Sequence, residues 1–267
     1  MMKPFFLQVK VFGFLLSTIL IMPCLTYANN NCFVAKENGK IVKQIGKCSI
    51  RHSPFSTFKI PLAVMGFDSE ILKSAEIPKI KFTSNIERQY VTNYEPQKYP
   101  AMLLWKRDQT PKNWMRGSVV WYSRYITHKL GVIKFKNYLN KFNYGNKNVE
   151  SKVTLMNSWL GNSLKISPLE QITFIEKLVS KSLPVTKKSQ EITIDIIKIE
   201  TIYDDFQLYG KTGGGKSSGW FVGWIEKNNK KIIFAQYIEQ SENSLINAGK
   251  MAKEVAKDNL MSLLPWL

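Results

Sequence analysis

A serine and a lysine three positions apart offer a nucleophile and a base in one short stretch, Ser56-Thr57-Phe58-Lys59. On a helix, residues three apart share a face, so the lysine amine can reach the serine hydroxyl. A serine at a helix N-terminus also lies beside backbone N–H groups that can stabilise an oxyanion. Such a pair is common by chance on solvated helices. Here the apolar residues that follow Phe58 predict a buried helix, where an unpaired lysine is costly.

Other routes to nucleophilic or metal chemistry find little support in this chain. It has two histidines: His128 is expected inside a helix, and His52 lies in a loop before the candidate serine. There is no Gly-x-Ser-x-Gly elbow, no phosphate-binding loop and no His-x-x-x-His or Cys-x-x-Cys spacing. We therefore expect no metal site, and a base other than histidine.

Three further motifs follow in order: Ser118-Val119-Val120, Tyr144-Gly145-Asn146 and Lys211-Thr212-Gly213. Taken singly, they are a helix cap before core valines, a turn and a hairpin corner. Ser-x-x-Lys followed by a polar motif and Lys-Thr-Gly is, however, the set found in serine β-lactamases and penicillin-binding proteins. Lys-Thr-Gly at the end of a strand could bind an extended, carboxylate-bearing substrate by strand addition, with Lys211 supplying charge.

With Trp159-Leu160, Leu164-Lys165-Ile166-Ser167 and Tyr209-Gly210 added, the chain resembles the class D (oxacillinase-type) serine β-lactamases over essentially its whole mature length. Tyr144-Gly145-Asn146 distinguishes this class from class A. The resemblance implies hydrolysis of the β-lactam ring of penicillin-type antibiotics through a Ser56 acyl-enzyme, and thereby antibiotic resistance.

The resemblance also implies roles for individual residues. Lys59 would be carboxylated by carbon dioxide or bicarbonate and act as the general base, with no metal or organic cofactor. Burial would lower the pKa of Lys59 and expose the neutral amine that carbon dioxide needs. The indole N–H of Trp159 would hold the carbamate, and Ser118 would pass a proton to the leaving nitrogen. The other implied residues support the lysine pocket, bind substrate or donate backbone N–H groups to the oxyanion: Val120, Leu160, Lys211, Thr212, Gly213, Gly215 and Ser56.

One departure concerns the substrate carboxylate. Many class D enzymes carry an arginine in the last helix, but that slot falls near Ala248 and no arginine follows Arg124. The contact must then depend on Lys211 and Thr212, with Ser217 or Lys250 as further candidates. The sequence does not give the preference among penicillins, cephalosporins and carbapenems.

The predicted elements form an α+β protein in which an antiparallel sheet is built from both chain termini, flanked by helices. A hairpin turns at Asn38-Gly39 and brings Cys32 and Cys48 near each other, either as a disulfide or as two thiols. A single catalytic domain spans 29–267, with a helical region of about 68–202 inserted in it. Expected helices start near Ser56 and Ser167, and cover 118–142, 190–202 and 245–260; residues 68–115 are expected to be irregular, and strands are expected at 206–210, 220–226 and 231–239.

Residues 1–28 indicate a signal peptide, with cleavage after Ala28 and a periplasmic product. A retained membrane anchor is the alternative; after cleavage no stable anchor is expected. The formal charge is +18, and it becomes +16 when Lys3 and Lys10 leave with a segment that has no acidic residue. The lysines are scattered, so we expect a basic exported protein near an anionic envelope rather than a nucleic-acid partner. The oligomeric state is not fixed by the sequence, and a monomer is favoured.

Three alternative functions remain at this stage. A penicillin-binding peptidase would form the same acyl-enzyme and release it slowly. A receptor domain would sense penicillin by acylation, although such receptors usually carry extra membrane helices. A basic envelope-binding protein without catalysis would leave the matched motifs as coincidence.

Overall fold

The computed structural model describes residues 30–91, 104–149, 154–203 and 205–264. The predicted signal peptide lies outside them, as does part of the segment expected to be irregular. Within the described residues no helix is long and apolar enough to cross a membrane. Seven α-helices are described: α1 (Lys59–Asp68), α2 (Ser84–Tyr90), α3 (Pro111–Gly117), α4 (Val120–Phe142), α5 (Pro168–Val179), α6 (Lys187–Ile196) and α7 (Ala248–Met261).

Six antiparallel strands form one sheet in the order β2-β1-β6-β5-β4-β3. The N-terminal hairpin pairs with β6 and therefore joins the C-terminal strands, as predicted for a sheet built from both ends of the chain. Asn38 and Gly39 form the turn, both with positive φ. The strand bounds are β1 (Cys32–Glu37), β2 (Lys40–Gly46), β3 (Lys198–Ile202), β4 (Phe206–Gly214), β5 (Ser218–Lys227) and β6 (Lys230–Glu239).

The sheet is covered on both faces. Successive side chains of a strand point to opposite sides, so β1, β4, β5 and β6 each contribute to two separate hydrophobic clusters. On one face Phe33, Phe221 and Phe234 pack against the alanines of α7. On the other face Val34, Val222 and Ala235 belong to the larger core that contains the remaining helices. The active-site elements come from this second side, where α5 contacts β1, β5 and β6.

The structure corrects several predicted boundaries. The helix expected over 190–202 ends at Ile196, and Lys198–Ile202 is instead the edge strand β3, paired with β4. The region expected to be irregular contains α2 and α3, each started by a threonine side chain that accepts a backbone N–H bond. The strand expected over 206–210 continues to Gly214, which carries Lys-Thr-Gly entirely within β4. The last helix begins at Ala248 rather than Leu245, after the Asn247 cap.

Cys32 and Cys48 form a disulfide. Cys32 lies in β1 and Cys48 follows β2, with their Cα atoms 5.1 Å apart. The sequence left this pairing open. The bond ties the segment that leads to Ser56 to the central part of the sheet.

Candidate active site

The nucleophile candidate lies at the entrance to α1. Ser56 is half-buried in a 3-10 turn, Phe55–Phe58, and the α-helix itself begins at Lys59, so the predicted helix starts later than expected. The Nζ atom of Lys59 donates a hydrogen bond to the Ser56 hydroxyl at 3.1 Å. The structure therefore brings the predicted nucleophile and base together.

Lys59 is completely buried, with 0% of its surface exposed. Burial, together with the positive charges of Lys211 and Arg124, holds the pKa of this amine well below its usual range. Among the described residues no carboxylate forms an ion pair with Lys59. The surroundings therefore favour a neutral amine over an ammonium.

The Trp159 ring stacks on Phe58, the residue before Lys59, with ring centroids 5.3 Å apart and an angle of 21°. Its indole N–H is buried and has no hydrogen-bond partner among the described residues. Buried N–H groups are rarely left unpaired. A carboxylate attached to the Lys59 nitrogen would fit both observations. It would place a negative charge beside the cations that surround Lys59, and it would give the indole N–H an acceptor.

The two other residues predicted to support the lysine pocket, Val120 and Leu160, are both half-buried. Val120 is the first residue of α4, and Leu160 follows Trp159 in the chain. Leu160 packs against the main core cluster.

Ser118 lies outside the helix it was expected to start. It is half-buried at the junction of α3 and α4 and has left-handed backbone angles, φ 54° and ψ 34°, and its N–H donates to the carbonyl of Met115. Within the described part of the chain, its hydroxyl makes no hydrogen bond to Ser56, Lys59 or Lys211. A left-handed serine is uncommon, and such conformations cluster at functional sites.

Strand β4 packs directly against the nucleophile turn at Gly213. A Cβ atom added there would lie 2.8 Å from the Pro54 carbonyl oxygen and 3.1 Å from the Ser56 nitrogen. Only a glycine permits so close an approach. Lys211 is buried on the same strand, and burial lowers its pKa to about 8. Its ammonium donates to the carbonyl of the neighbouring Thr212 at 2.9 Å.

The sheet register corrects the prediction that the Gly215 N–H donates to the oxyanion. Its N–H donates to the Ser218 carbonyl at 2.9 Å, closing the β4–β5 turn, and so it is already used. The β4–β5 pairing is regular, so alternate residues point their N–H groups to opposite sides. Gly210, which is even-numbered, donates away from β5 to Ile197. By the same alternation the Gly214 N–H points away from β5, along the edge of β4 that β3 leaves free.

A groove of about 620 Å³ runs along this edge, and Lys211 and Thr212 line it. Ser217 and Lys250 are absent from its described lining, and Ala248 is buried against Gly219. The groove instead contains cations that sequence reasoning missed, because they come from α3, β3 and the middle of α7. They are Lys112, Arg116, Lys198 and Lys253, accompanied by the acidic residues Asp195 and Glu200.

Of these cations, Lys253 already forms an ion pair with Glu200 at 2.7 Å. Arg116 is exposed in the last turn of α3, two residues before Ser118. No described carboxylate forms an ion pair with it.

The Tyr144-Gly145-Asn146 motif clamps the segment that contains Trp159. The Asn146 side chain donates to the Ser163 carbonyl and accepts from the Lys165 N–H, at 2.8 and 3.0 Å. Gly145 has φ 54°, and a Cβ atom there would lie 2.1 Å from the Lys165 carbonyl oxygen. Tyr144 is fully buried, and burial raises the pKa of its hydroxyl. The motif contributes to the site by holding backbone.

Comparisons with known proteins agree with this geometry. Residues 25–261 match the family described as penicillin binding protein transpeptidase domain. The chain is 35% identical to beta-lactamase OXA-9 of Klebsiella pneumoniae, over 81% of each chain. It is 36% identical to beta-lactamase OXA-1 of Escherichia coli, over 84% of this chain and 82% of that one.

A solved structure of the OXA-427 class D β-lactamase superposes with a TM-score of 0.78 at 34% identity. It covers 88% of this chain and 98% of its own. The six-stranded antiparallel sheet flanked by helices and the paired Ser56 and Lys59 are thus found in a chain whose relatives are named β-lactamases. This protein belongs to the class D β-lactamases, within the penicillin-binding transpeptidase family, and is a hydrolase that acts on β-lactams.

Proposed function

We propose that this enzyme opens the β-lactam ring of penicillin-type antibiotics through an acyl-enzyme on Ser56, with Lys59 as the base, and so confers antibiotic resistance. The observation that carries the proposal concerns two buried groups: among the described residues, Lys59 has no carboxylate to offset a positive charge, and the Trp159 N–H has no hydrogen-bond partner. Neither group has an ordinary structural explanation. Both are accounted for when carbon dioxide is bound to the lysine nitrogen.

In acylation, the Ser56 oxygen forms a bond to the lactam carbonyl carbon. Lys59, 3.1 Å away, is the group within reach to take the Ser56 proton. The bond from the carbonyl carbon to the ring nitrogen breaks, and the nitrogen needs a proton. We assign that delivery to Ser118, which lies between the two flanking helices with left-handed backbone angles. Its hydroxyl proton passes to the nitrogen and is replaced by the proton that Lys59 took from Ser56. In deacylation, a water oxygen forms a bond to the ester carbonyl carbon while Lys59 takes a proton from the water. The bond from that carbon to the Ser56 oxygen breaks, and the proton passes from Lys59 to Ser56, which restores both groups.

Carboxylated Lys59 supplies an anionic base that works at neutral pH, which an ordinary lysine ammonium with a pKa of ~10.4 does not. The chain's own contribution is to keep the amine neutral by burial and to offer the indole N–H of Trp159 as a donor. Val120 and Leu160 are proposed to complete the apolar wall that limits water at this position.

The developing oxyanion is proposed to bind two backbone N–H groups, those of Ser56 and Gly214. Gly213 supports this pairing, since its lack of a side chain lets β4 approach the Ser56 nitrogen. Gly214 replaces Gly215, whose N–H is bonded to Ser218. Preorganised donors of this kind commonly contribute about 10²–10³ in kcat each.

The substrate carboxylate is proposed to bind in the groove beside Lys211 and Thr212. Arg116 lines the same groove and offers a permanently charged, planar donor. We assign it the part that a last-helix arginine would otherwise take. A cation outside α7 would account for a carboxylate site without that arginine.

We further propose that residues 1–28 direct the chain to the periplasm and are removed there. The disulfide between Cys32 and Cys48 supports an oxidising compartment. The scattered basic charge suits a soluble enzyme near an anionic envelope.

Hydrolysis of nitrocefin by the purified mature protein, with and without added bicarbonate, tests the proposal. Sustained turnover that rises with bicarbonate is expected. One equivalent of product per enzyme, with no further turnover, would favour the peptidase or receptor function instead. If Lys59→Ala retained full deacylation, the role of Lys59 would be wrong.

A further inference from the structure

We propose that Ser53 is a positioning residue: its buried hydroxyl fixes the segment around Trp159, and thereby holds the indole N–H where a carbamate on Lys59 can bind it. The inference rests on the proposed carboxylation of Lys59. It adds a residue that lies three positions before the nucleophile and belongs to none of the class D motifs.

Two hydrogen bonds join Ser53 to the tryptophan segment. Its Oγ donates to the Trp159 carbonyl at 2.8 Å and accepts from the Gly161 N–H at 2.8 Å. The Phe55 N–H donates to the same Trp159 carbonyl at 2.9 Å. The segment that leads to Ser56 is therefore bonded directly to the backbone on both sides of Leu160.

Ser53 is itself anchored to the sheet. The indole N–H of the buried Trp220, in β5, donates to the Ser53 carbonyl at 2.9 Å. The preceding residue, His52, exchanges two backbone hydrogen bonds with Ile166, each 2.9 Å. Residues 52–55 thus bond the tryptophan segment in its middle, at Trp159 and Gly161, and just after its end, at Ile166. Among the described residues, Ser53 provides the only side-chain oxygen of residues 52–55 in this contact.

The tryptophan segment, residues 154–165, depends on such hydrogen bonds because it contains little regular secondary structure. Apart from a 3-10 turn at Leu155–Asn157, residues 154–165 have no helix or strand and consist of turns, bends and irregular chain. Stacking on Phe58 sets the plane of the Trp159 ring. Phe135 lies near the same ring, and Asn146 holds the segment farther along, at Ser163 and Lys165. At Trp159 itself, the backbone carbonyl is held by the Ser53 hydroxyl and the Phe55 N–H.

Removing the hydroxyl leaves the Gly161 N–H without its acceptor and the Trp159 carbonyl with one donor fewer. The backbone at Trp159 is then held by the Phe55 N–H alone, so the indole N–H is positioned less firmly and carbon dioxide should bind more weakly. We expect about a tenfold loss of bicarbonate affinity, smaller than the loss from deleting the indole N–H itself.

The test measures the carbamate directly, by ¹³C NMR of the full mature protein titrated with ¹³C-bicarbonate, beside nitrocefin turnover. Ser53→Thr and Ser53→Val have side chains of the same shape, and only threonine retains a hydroxyl. The carbamate signal of the valine variant should need about tenfold more bicarbonate than that of the threonine variant. Ser53→Ala should resemble valine; if it fails to fold, the threonine and valine pair decides alone.

Ser158→Ala is the matched control, since Ser158 is buried next to Trp159 but its Oγ bonds locally to the Leu155 carbonyl. It should keep the wild-type affinity. Equal affinities for the threonine and valine variants would overturn the role of Ser53 and leave the proposed function standing. A wild-type protein with turnover but no carbamate signal would instead overturn the carboxylation of Lys59, and the role of Ser53 with it.

Discussion

Replacing Trp159 by phenylalanine isolates one hydrogen bond. Phenylalanine keeps an aromatic ring to stack on Phe58, but it has no N–H. The indole N–H is fully buried, so water cannot take its place when it is lost. A hydrogen bond to a charged group contributes about 1.5–3 kcal/mol, and about 1.4 kcal/mol corresponds to a factor of ten. Bicarbonate should therefore bind roughly 10- to 150-fold more weakly to Trp159→Phe.

The assay is the initial rate of nitrocefin hydrolysis as a function of bicarbonate concentration, in buffers stripped of carbon dioxide. At saturating bicarbonate, Trp159→Phe should recover much of its activity, because the reacting groups Ser56 and Lys59 are intact. Trp224→Phe controls for the smaller ring, since Trp224 is equally buried and its N–H bonds to Glu226 at 3.2 Å, away from Ser56. A half-saturating concentration for Trp159→Phe equal to that of the wild type would refute the reasoning.

Three further outcomes are expected. KM for carboxylate-bearing substrates should rise as the pH increases from about 8, because Lys211 loses its proton there. A bound anion near Lys211 would raise its pKa and so move this rise to higher pH. The KM of Lys211→Arg should stay constant over the same pH range. Gly213→Ala should lower kcat/KM by at least about 100-fold, the contribution of one oxyanion donor, because the added methyl meets the nucleophile turn; a near-normal acylation rate would argue against the assigned contact. Removing the disulfide with Cys32→Ser and Cys48→Ser together should cost about 3 kcal/mol for a loop of 16 residues, or roughly 6–12 °C in Tm, and calorimetry that shows no change would exclude a stabilising role.

Much of the fold follows from patterns that one segment can carry by itself. The Asn38-Gly39 turn needs positive φ at both residues, which few other pairs adopt easily. Ser167 followed by Pro168 and Glu170 marks the start of α5, and the structure contains the complete capping box. In these cases the local chemistry and the tertiary structure agree.

Other features depend on partners far away in the chain. Ile192, Ile196 and Ile199 have helical spacing, yet the helix stops because the following residues pair with β4. The left-handed Ser118 is hidden between two helical patterns, α3 and α4. Neither the pairing of an edge strand with a distant partner nor one residue with positive φ produces a periodic pattern in the sequence.

The site was predicted as a set of residues, but its geometry was not. Motif spacing identified Ser56 and Lys59, and the structure places them in hydrogen-bond contact. Counting along Lys-Thr-Gly did not show which N–H groups of β4 are free, since that depends on the register with β5. Arg116 was missed for a similar reason: no pattern within α3 shows that its last turn lines the groove beside β4.

The space beside Gly145 bears on how this enzyme can change under antibiotic selection. That space is filled by the backbone of Lys165, which no neighbouring mutation can remove, so any side chain at position 145 would displace the segment leading back to Trp159. A residue outside the lining of the groove is thus among those least free to vary. Arg116, exposed on the groove, is under no such restriction. Changes in the range of antibiotics accepted should therefore arise along the groove, while the motif that marks the class stays fixed.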